Sequence, residues 1–347
     1  MSKKLYPFRK NGRFYFTESH KPESFFLGTV PTFFQSLLGR RRHMRNAVIE
    51  PWIAVPAPLV ASQEPHVTWL GHATFLIQIG GLNILTDPIF GHPSFLFPRV
   101  LPLGIPADQL PPIDAVVISH NHPDHMDSST IATIKKQSPH ARMLVPEGDK
   151  AWFDRRGYTN VVEHTWWEDT SMSLQNAEIS PVRFTFLPSA HWSQRGVFDK
   201  NKSLWGSWMI QWNGYSIYFA GDTAYAHHFA NIGHHFPSID LALMPVGPCE
   251  PHEWMAHTHV SAEQSGQAFL DLKAQQFIPM HWGTFVFGYD HFELPIERIT
   301  KWWQANGHML ENKKLHLCKV GERIDVAAHS SNPNLIQPRD LELYNQY

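Results

Sequence analysis

Four side chains able to bind metal ions fall within six residues of this chain: His120, His122, Asp124 and His125, in the run IDAVVISHNHPDHMD over residues 113–127. Imidazole and carboxylate donors without thiolate suit zinc or a neighbouring first-row cation. His120 and His122 can face one ion, while Asp124 and His125, further along, face a second. One loop cannot complete two coordination spheres. The missing donors are therefore expected at the ends of later apolar runs: His191 in RFTFLPSAH, Asp222 in YSIYFAGDT and His281 in QQFIPMHWG. Two such ions held close together lower the pKa of a shared water and act as Lewis acids. No serine or cysteine nucleophile is then needed, and neither a GxSxG elbow nor an HxKxxxxD motif competes.

These side chains need elements to hold them. Residues 113–118 are apolar and β-branched but too few for a helix, which predicts a buried strand. Asp127 and Ser128 are N-cap residues for a helix over Ser128–Gln137, so the cluster is expected on a strand-to-helix loop. Earlier, HATFLIQIGGLNILTDP predicts two strands joined at Gly80 and Gly81. His72 and Asp87 end strands in this stretch and are expected behind the metal donors, each orienting an imidazole by a hydrogen bond. Residues 90–112, rich in proline, predict a long loop that shapes the mouth of a site.

Beyond the cluster, strands over 142–145 and 161–166 alternate with a helix near 149–156. Strands over 178–187, 203–212 and 215–220 follow, with a turn at Asn213 and Gly214. Helices over 224–235, 261–273 and 295–305 then alternate with strands over 240–245, 276–280 and 314–320. Two β-rich halves flanked by helices predict an α/β fold, an αβ/βα sandwich with the donor loops along one edge.

Composition narrows the function. The 347 residues are 43% hydrophobic, enough for a sizeable core, and no Gly/Ser linker divides them. A net charge of −2 offers no general attraction to nucleic acid, so no nucleic-acid partner is expected. Cys249 and Cys318 have neither metal-binding spacing nor the number for a disulfide framework. The first residues lack an apolar signal core, and no stretch is long and apolar enough to span a bilayer. A cytoplasmic, peripherally membrane-associated protein is expected. The membrane element would be residues 21–50, where Phe33, Phe34, Leu37 and Leu38 recur at helical spacing before Arg40, Arg41, Arg42 and Arg45. The alternative for this stretch is packing onto the catalytic domain.

The segments VTWLGHATFLI, LTDPIF, LPPIDAVVISHNHPDHMD, NKSLWGSW, FAGDTAY and IPMHWGTF resemble the N-acylphosphatidylethanolamine-hydrolysing phospholipase D family. HNHPDH, SAH, AGDT and MHWG resemble the wider metallo-β-lactamase superfamily. The resemblance runs from about Val67 to about Val326. It implies an N-terminal extension over residues 1–66, containing the candidate membrane-associating stretch, and a metallo-β-lactamase-type catalytic domain over 67–347. It also implies two zinc ions per chain, one held by His120, His122 and His191, the other by Asp124, His125 and His281, with Asp222 bridging. Asp124 or Asp222 would manage the proton. The implied reaction is hydrolysis of N-acylphosphatidylethanolamine to N-acylethanolamine and phosphatidic acid, on a phospholipid at a membrane surface, by a homodimer. His259 matches a family histidine that approaches the lipid head group, although the surrounding CEPHEWMAHTH departs from the family's wording.

Trp192 and Trp254, near the donor loops, are the two tryptophans expected to meet substrate; the rest are expected to pack in the core or rim. The rival readings are another hydrolase on the same scaffold, such as a phosphosugar lactonase, and, further off, a nuclease or a non-catalytic metal-binding scaffold.

Overall fold

Several strands in this chain are apolar at nearly every position, the pattern of a sheet covered on both faces. In the computed structural model, which describes residues 3–17, 47–56, 64–173 and 180–326, two such sheets form. The chain first makes a small hairpin, β1 (Phe8–Lys10) and β2 (Arg13–Tyr15). One sheet then gathers β3 (His66–Gly71), β4 (Thr74–Ile79), β5 (Leu82–Thr86), β6 (Ala115–Val117), β7 (Arg142–Pro146) and β8 (Val161–His164). The other gathers β9 (Asp169–Met172), β10 (Val182–Leu187), β11 (Ser207–Trp212), β12 (Tyr215–Phe219), β13 (Ile239–Pro245), β14 (Ala274–Met280) and β15 (Lys314–Leu315). The last strand, β16 (Arg323–Asp325), returns to the first sheet beside β3, giving seven strands in each.

Both sheets are antiparallel on one side and parallel on the other: β3, β4 and β5 pair antiparallel, then β5 through β8 run parallel. The second sheet repeats this, antiparallel from β9 to β12 and parallel from β12 to β15. Helices supply the crossovers: α1 (Ser128–Gln137) and α2 (Lys150–Asp154) in the first half, α3 (His228–His235), α4 (His252–Met255), α5 (Ala262–Leu272) and α6 (Leu294–Ala305) in the second.

Alternate side chains of one strand enter different cores, because successive residues point to opposite faces. In β4, Phe75 and Ile77 join the cluster shared with the second sheet, while Leu76 joins Ile131 and Ile134 of α1 and Trp152 and Phe153 of α2. In β6, Val117 faces the first cluster and Val116 the second. The result is the expected αβ/βα sandwich.

Local chemistry agrees. Asp127 caps α1 by accepting from Thr130 N at 2.8 Å, and Ser261 caps α5 in a capping box with Gln264. Gly80 and Gly81 (φ +57° and +79°) turn β4 into β5, as Asn213 and Gly214 (φ +46° and +80°) turn β11 into β12. A Cβ on Gly80 would lie 2.7 Å from the Trp212 ring, so glycine is required there twice over.

Some elements depart from expectation. The strand foreseen over 314–320 is only Lys314–Leu315. The short edge strands β9 and β16 carry too few apolar residues to announce themselves, and α4 is a single turn. The β1–β2 hairpin, turning at Asn11 and Gly12 (φ +53° and +68°), sits inside what reads as an extension. It is packed down: Phe14 and Phe16 are buried, Phe14 N donates to Asn201 O at 2.8 Å and Trp167 Nε1 donates to Leu5 O at 2.6 Å. Residues 47–56 pack too, with Trp52 edge-on to Trp282 at 4.7 Å. The aromatic and basic stretch of residues 21–45 lies outside the described residues. No helix among the described residues is long and apolar enough to cross a membrane.

Candidate metal centre

The loop leaving β6 is tied down before its first histidine. Ile118 O accepts from Trp208 Nε1 at 2.9 Å and Ser119 O from Gly206 N at 2.9 Å, both reaching across from the second sheet. Asp87, at the end of β5, accepts from Ser119 N at 2.7 Å. His120 and His122 then project to one side. His125 N and Met126 N both donate to His122 O, at 3.0 and 2.9 Å, and this turn swings His125 back toward its neighbours.

One group of donors is His120, His122 and His191; another is His72, Asp124, His125 and His281, and within each the donor atoms lie within 4.8 Å of one another. In the first, His120 Nε2 is 2.7 Å from His122 Nδ1, and His191 Nε2 is 3.4 Å from the same atom. Asp222 stands between the groups: its Oδ2 is 3.8 Å from His191 Nε2 and 3.3 Å from His125 Nε2, while its Oδ1 is 3.1 Å from His281 Nε2.

Hydrogen bonds behind the rings decide which nitrogens are free to bind. His191 Nδ1 donates to Thr258 O at 2.8 Å and His281 Nδ1 to Gly247 O at 2.9 Å. A carbonyl can only accept, so in both rings the proton is on Nδ1 and Nε2 keeps its lone pair toward the centre. His125 Nδ1 is 2.7 Å from Asp87 Oδ2.

Electrostatics point the same way for the first group, whereas at His125 burial, which lowers the pKa, is outweighed by Asp222 and Asp124, which raise it well above the ordinary histidine value. Burial, with neighbouring imidazoles adding to it, drives His120 well below the ordinary histidine pKa. Burial also lowers His122 to about 4, and it lowers His191 well below the ordinary value against the pull of Asp222. Neutral imidazole is the form that binds a cation. For Asp124 and Asp222, burial favours the acid, but the surrounding histidines outweigh it and hold both carboxyls well below the usual range. His122 Nε2, His125 Nε2, His281 Nε2 and Asp222 Oδ1 are buried and make no well-aligned hydrogen bond among the described residues, although His281 Nε2 and Asp222 Oδ1 lie 3.1 Å apart. Unpaired buried donors and acceptors are costly. Converging lone pairs and two ionised carboxylates fit divalent cations.

His72, expected behind the donors, sits among them: its Nε2 is 3.1 Å from Asp124 Oδ2 and its ring centre 4.1 Å from that of His281. His72, Asp87 and His281 all have left-handed backbone conformations, with φ of +54°, +33° and +62°. Such strain gathers at functional sites. His259 Nδ1 is 3.7 Å from Asp222 Oδ2, and the Trp192 ring is 4.3 Å from His122. Trp254 is 43% exposed on α4, its ring centre 6.5 Å from that of Tyr289, so it belongs to the rim. Three aromatics absent from the sequence-based expectations stand here: Phe285 and Phe287 wall His72 at 5.0 and 5.6 Å, and Phe97 lies 4.9 Å from Phe287. Nothing in the local pattern of FLFPR or GTFVFG singled them out.

A family model described as a beta-lactamase superfamily domain matches residues 82–282, more than half the chain. The chain belongs to the beta-lactamase superfamily. Relatives named as metal-dependent hydrolases match this chain at 27 and 28% identity. N-acyl-phosphatidylethanolamine-hydrolyzing phospholipase D 1 of Caenorhabditis elegans is 32% identical over 237 residues, 65% of this chain and 66% of that protein. The mitochondrial N-acyl-phosphatidylethanolamine-hydrolyzing phospholipase D of Saccharomyces cerevisiae is 35% identical over 240 residues, 67% of this chain and 50% of that protein. This chain thus spans between half and two thirds of those relatives. Igni18, a metallo hydrolase from Ignicoccus hospitalis, shares the fold at a TM-score of 0.55 and 21% identity, over 75% of this chain and 97% of that one.

Proposed function

We propose that this beta-lactamase superfamily member is a zinc-dependent phosphodiesterase of the phospholipase D type, converting N-acylphosphatidylethanolamine to N-acylethanolamine and phosphatidic acid. The observation that carries the reading is that Asp222 turns one carboxylate oxygen to His191 and the other to His281, at 3.8 and 3.1 Å. His120, His122 and His191 would hold one ion and Asp124, His125 and His281 the other, with Asp222 shared. Zinc bound there supplies Lewis acidity toward a phosphoryl oxygen and an activated water at neutral pH.

The chain's own residues do the rest. The Asp124 side chain is 15% exposed against 2% for Asp222, so Asp124 would be the carboxylate that passes a proton toward solvent and Asp222 the buried one shared by the two donor groups. His72 steadies Asp124 through the contact at 3.1 Å. His259, 3.7 Å from Asp222 Oδ2, would meet the head group, and Trp192, 4.3 Å from His122, would pack against the substrate. The two relatives named for N-acylphosphatidylethanolamine hydrolysis support the choice of substrate.

A lipid surface as partner is supported by exposed apolar side chains on loops that lead to the centre. Phe95 and Phe198 are 84% and 83% exposed, and Leu96, Val197 and Trp254 accompany them. Leu96 precedes Phe97, which lies 4.9 Å from Phe287, and Phe198 is on the loop that follows His191. Apolar groups left in water around a site mark a contact with lipid or protein.

The test is turnover of N-acylphosphatidylethanolamine in mixed micelles by the purified protein, before and after chelation and after zinc is restored. Release of N-acylethanolamine that stops on chelation and returns with zinc is expected. Turnover of a soluble phosphosugar lactone, with the lipid left untouched, would overturn the proposal.

A further inference from the structure

Arg195 follows His191 by four residues, yet its guanidinium contacts the other histidine loop. Its backbone is folded inward by Asp199, which accepts from Arg195 N at 3.1 Å and Gly196 N at 2.8 Å. From there Nη1 donates to Asn121 O at 3.1 Å and Nη2 to Ser128 Oγ at 2.7 Å. The guanidinium lies 4.8 Å from the centre of the Trp152 ring, which fixes its plane. Asn121 is the residue between His120 and His122, and its own side chain donates to buried Asp149 at 2.9 Å. The spacer between two candidate ligands is therefore held at both ends, by Arg195 through its carbonyl and by Asp149 through its amide.

Resting on the reading of His120, His122 and His191 as a metal site, we infer that Arg195 is a positioning residue that clamps the two loops supplying it, one from each sheet. The planar fork suits this work, because a single side chain reaches two acceptors on different elements at once; a lysine ammonium on its flexible stem does not reproduce that geometry. Asn121 and Ser128 bracket Asp124 and His125 too, but His125 is tied independently to Asp87 and His281 to Gly247 O. Only the first group draws a donor, His191, from the loop that carries Arg195. The clamp should therefore act on one site more than on the other. Second-layer contacts of this kind are commonly worth about 10–100-fold in metal affinity.

The experiment is a cobalt(II) titration of the metal-stripped full chain, followed by visible absorption, with circular dichroism and the thermal midpoint recorded on the same samples. Wild type is expected to take up two equivalents. Arg195→Met is expected to bind one equivalent as wild type does and the other about 10–100-fold more weakly, with an altered visible band. Arg195→Lys should fall between the two, and Ser128→Ala, which removes one acceptor and leaves the guanidinium in place, should weaken the same equivalent to a smaller degree. Two equivalents with wild-type affinities and spectrum in Arg195→Met would overturn the inference. Equal weakening of both equivalents together with a lowered thermal midpoint, repeated in Ser128→Ala, would also overturn it, showing a clasp on the fold alone. Wild type binding no cobalt would overturn the metal-site reading, and the inference with it.

Discussion

Asp87 shows how much a single residue behind the candidate metal donors decides. Fully buried, it accepts from Ser119 N at 2.7 Å and faces His125 Nδ1 at 2.7 Å, so one carboxylate fixes both the root of the ligand loop and the orientation of a ring. Asp87→Asn keeps the shape but offers an amide N–H where a second acceptor is needed. Metal affinity, measured by competition with a chromophoric chelator, is expected to fall about 10–100-fold with little loss of fold. An unchanged affinity would mean that packing alone holds His125. The same reasoning explains why His72 could not be ranked from its position in the chain. It ends a strand as Asp87 does, and only the approach of the 120s loop and of His281 brings it to Asp124.

At the scale of elements, the segment from β13 to α5 carries two groups the centre relies on: Gly247 O, which orients His281, and Thr258 O, which orients His191. Its start is pinned by Asp290, which accepts from Cys249 N at 2.7 Å and Glu250 N at 2.8 Å. Burial pushes the Asp290 carboxyl up to about 6 from an ordinary 3.8, against the downward pull of those two N–H groups. A carboxyl whose pKa is higher in the folded chain binds its proton more tightly there. The stability it contributes is full below about pH 4 and is lost as pH rises through about 6. Wild type should therefore lose stability relative to Asp290→Asn between pH 4 and pH 7, by an amount on the order of 2 kcal/mol. Thermal midpoints of both proteins across that range check it; parallel curves would show that Asp290 titrates no differently once folded.

At the scale of the whole molecule, the N-terminal hairpin is part of the packed body. Phe16 is buried against Trp166 and His228, with ring centres 6.1 and 5.8 Å away, and His228 backs Thr223, the residue after Asp222. Phe16→Ala is expected to cost about 3 kcal/mol in urea unfolding, and a loss below about 0.5 kcal/mol would show that the site collapses around the gap. The outer surface makes a separate prediction. Replacing Phe95 and Phe198 with serine removes two aromatic rings from any lipid contact and should weaken binding to anionic vesicles at least about tenfold, with metal content unchanged. Equal sedimentation of wild type and variant with vesicles would remove those loops from the membrane face.

What the chain determines by itself is local and periodic. An apolar run ending in HNHPDH beside a capped helix specifies a strand, a loop and its donors, and three later apolar runs ending in His191, Asp222 and His281 specify where further donors emerge. Alternation and turn residues, at Gly80 and Gly81 or Asn213 and Gly214, are enough for the sandwich, because hydrogen bonding and burial act over a few residues at a time. The β1–β2 hairpin was written there as well, in Asn11 and Gly12, but nothing local says that Phe14 and Phe16 are buried. Only the tertiary structure decided that His72 stands with the donors, that Asp222 divides its oxygens between two groups, and that Arg195 spans two loops. Each of these is a distance between residues dozens of positions apart, and such distances are set by how two sheets pack against each other.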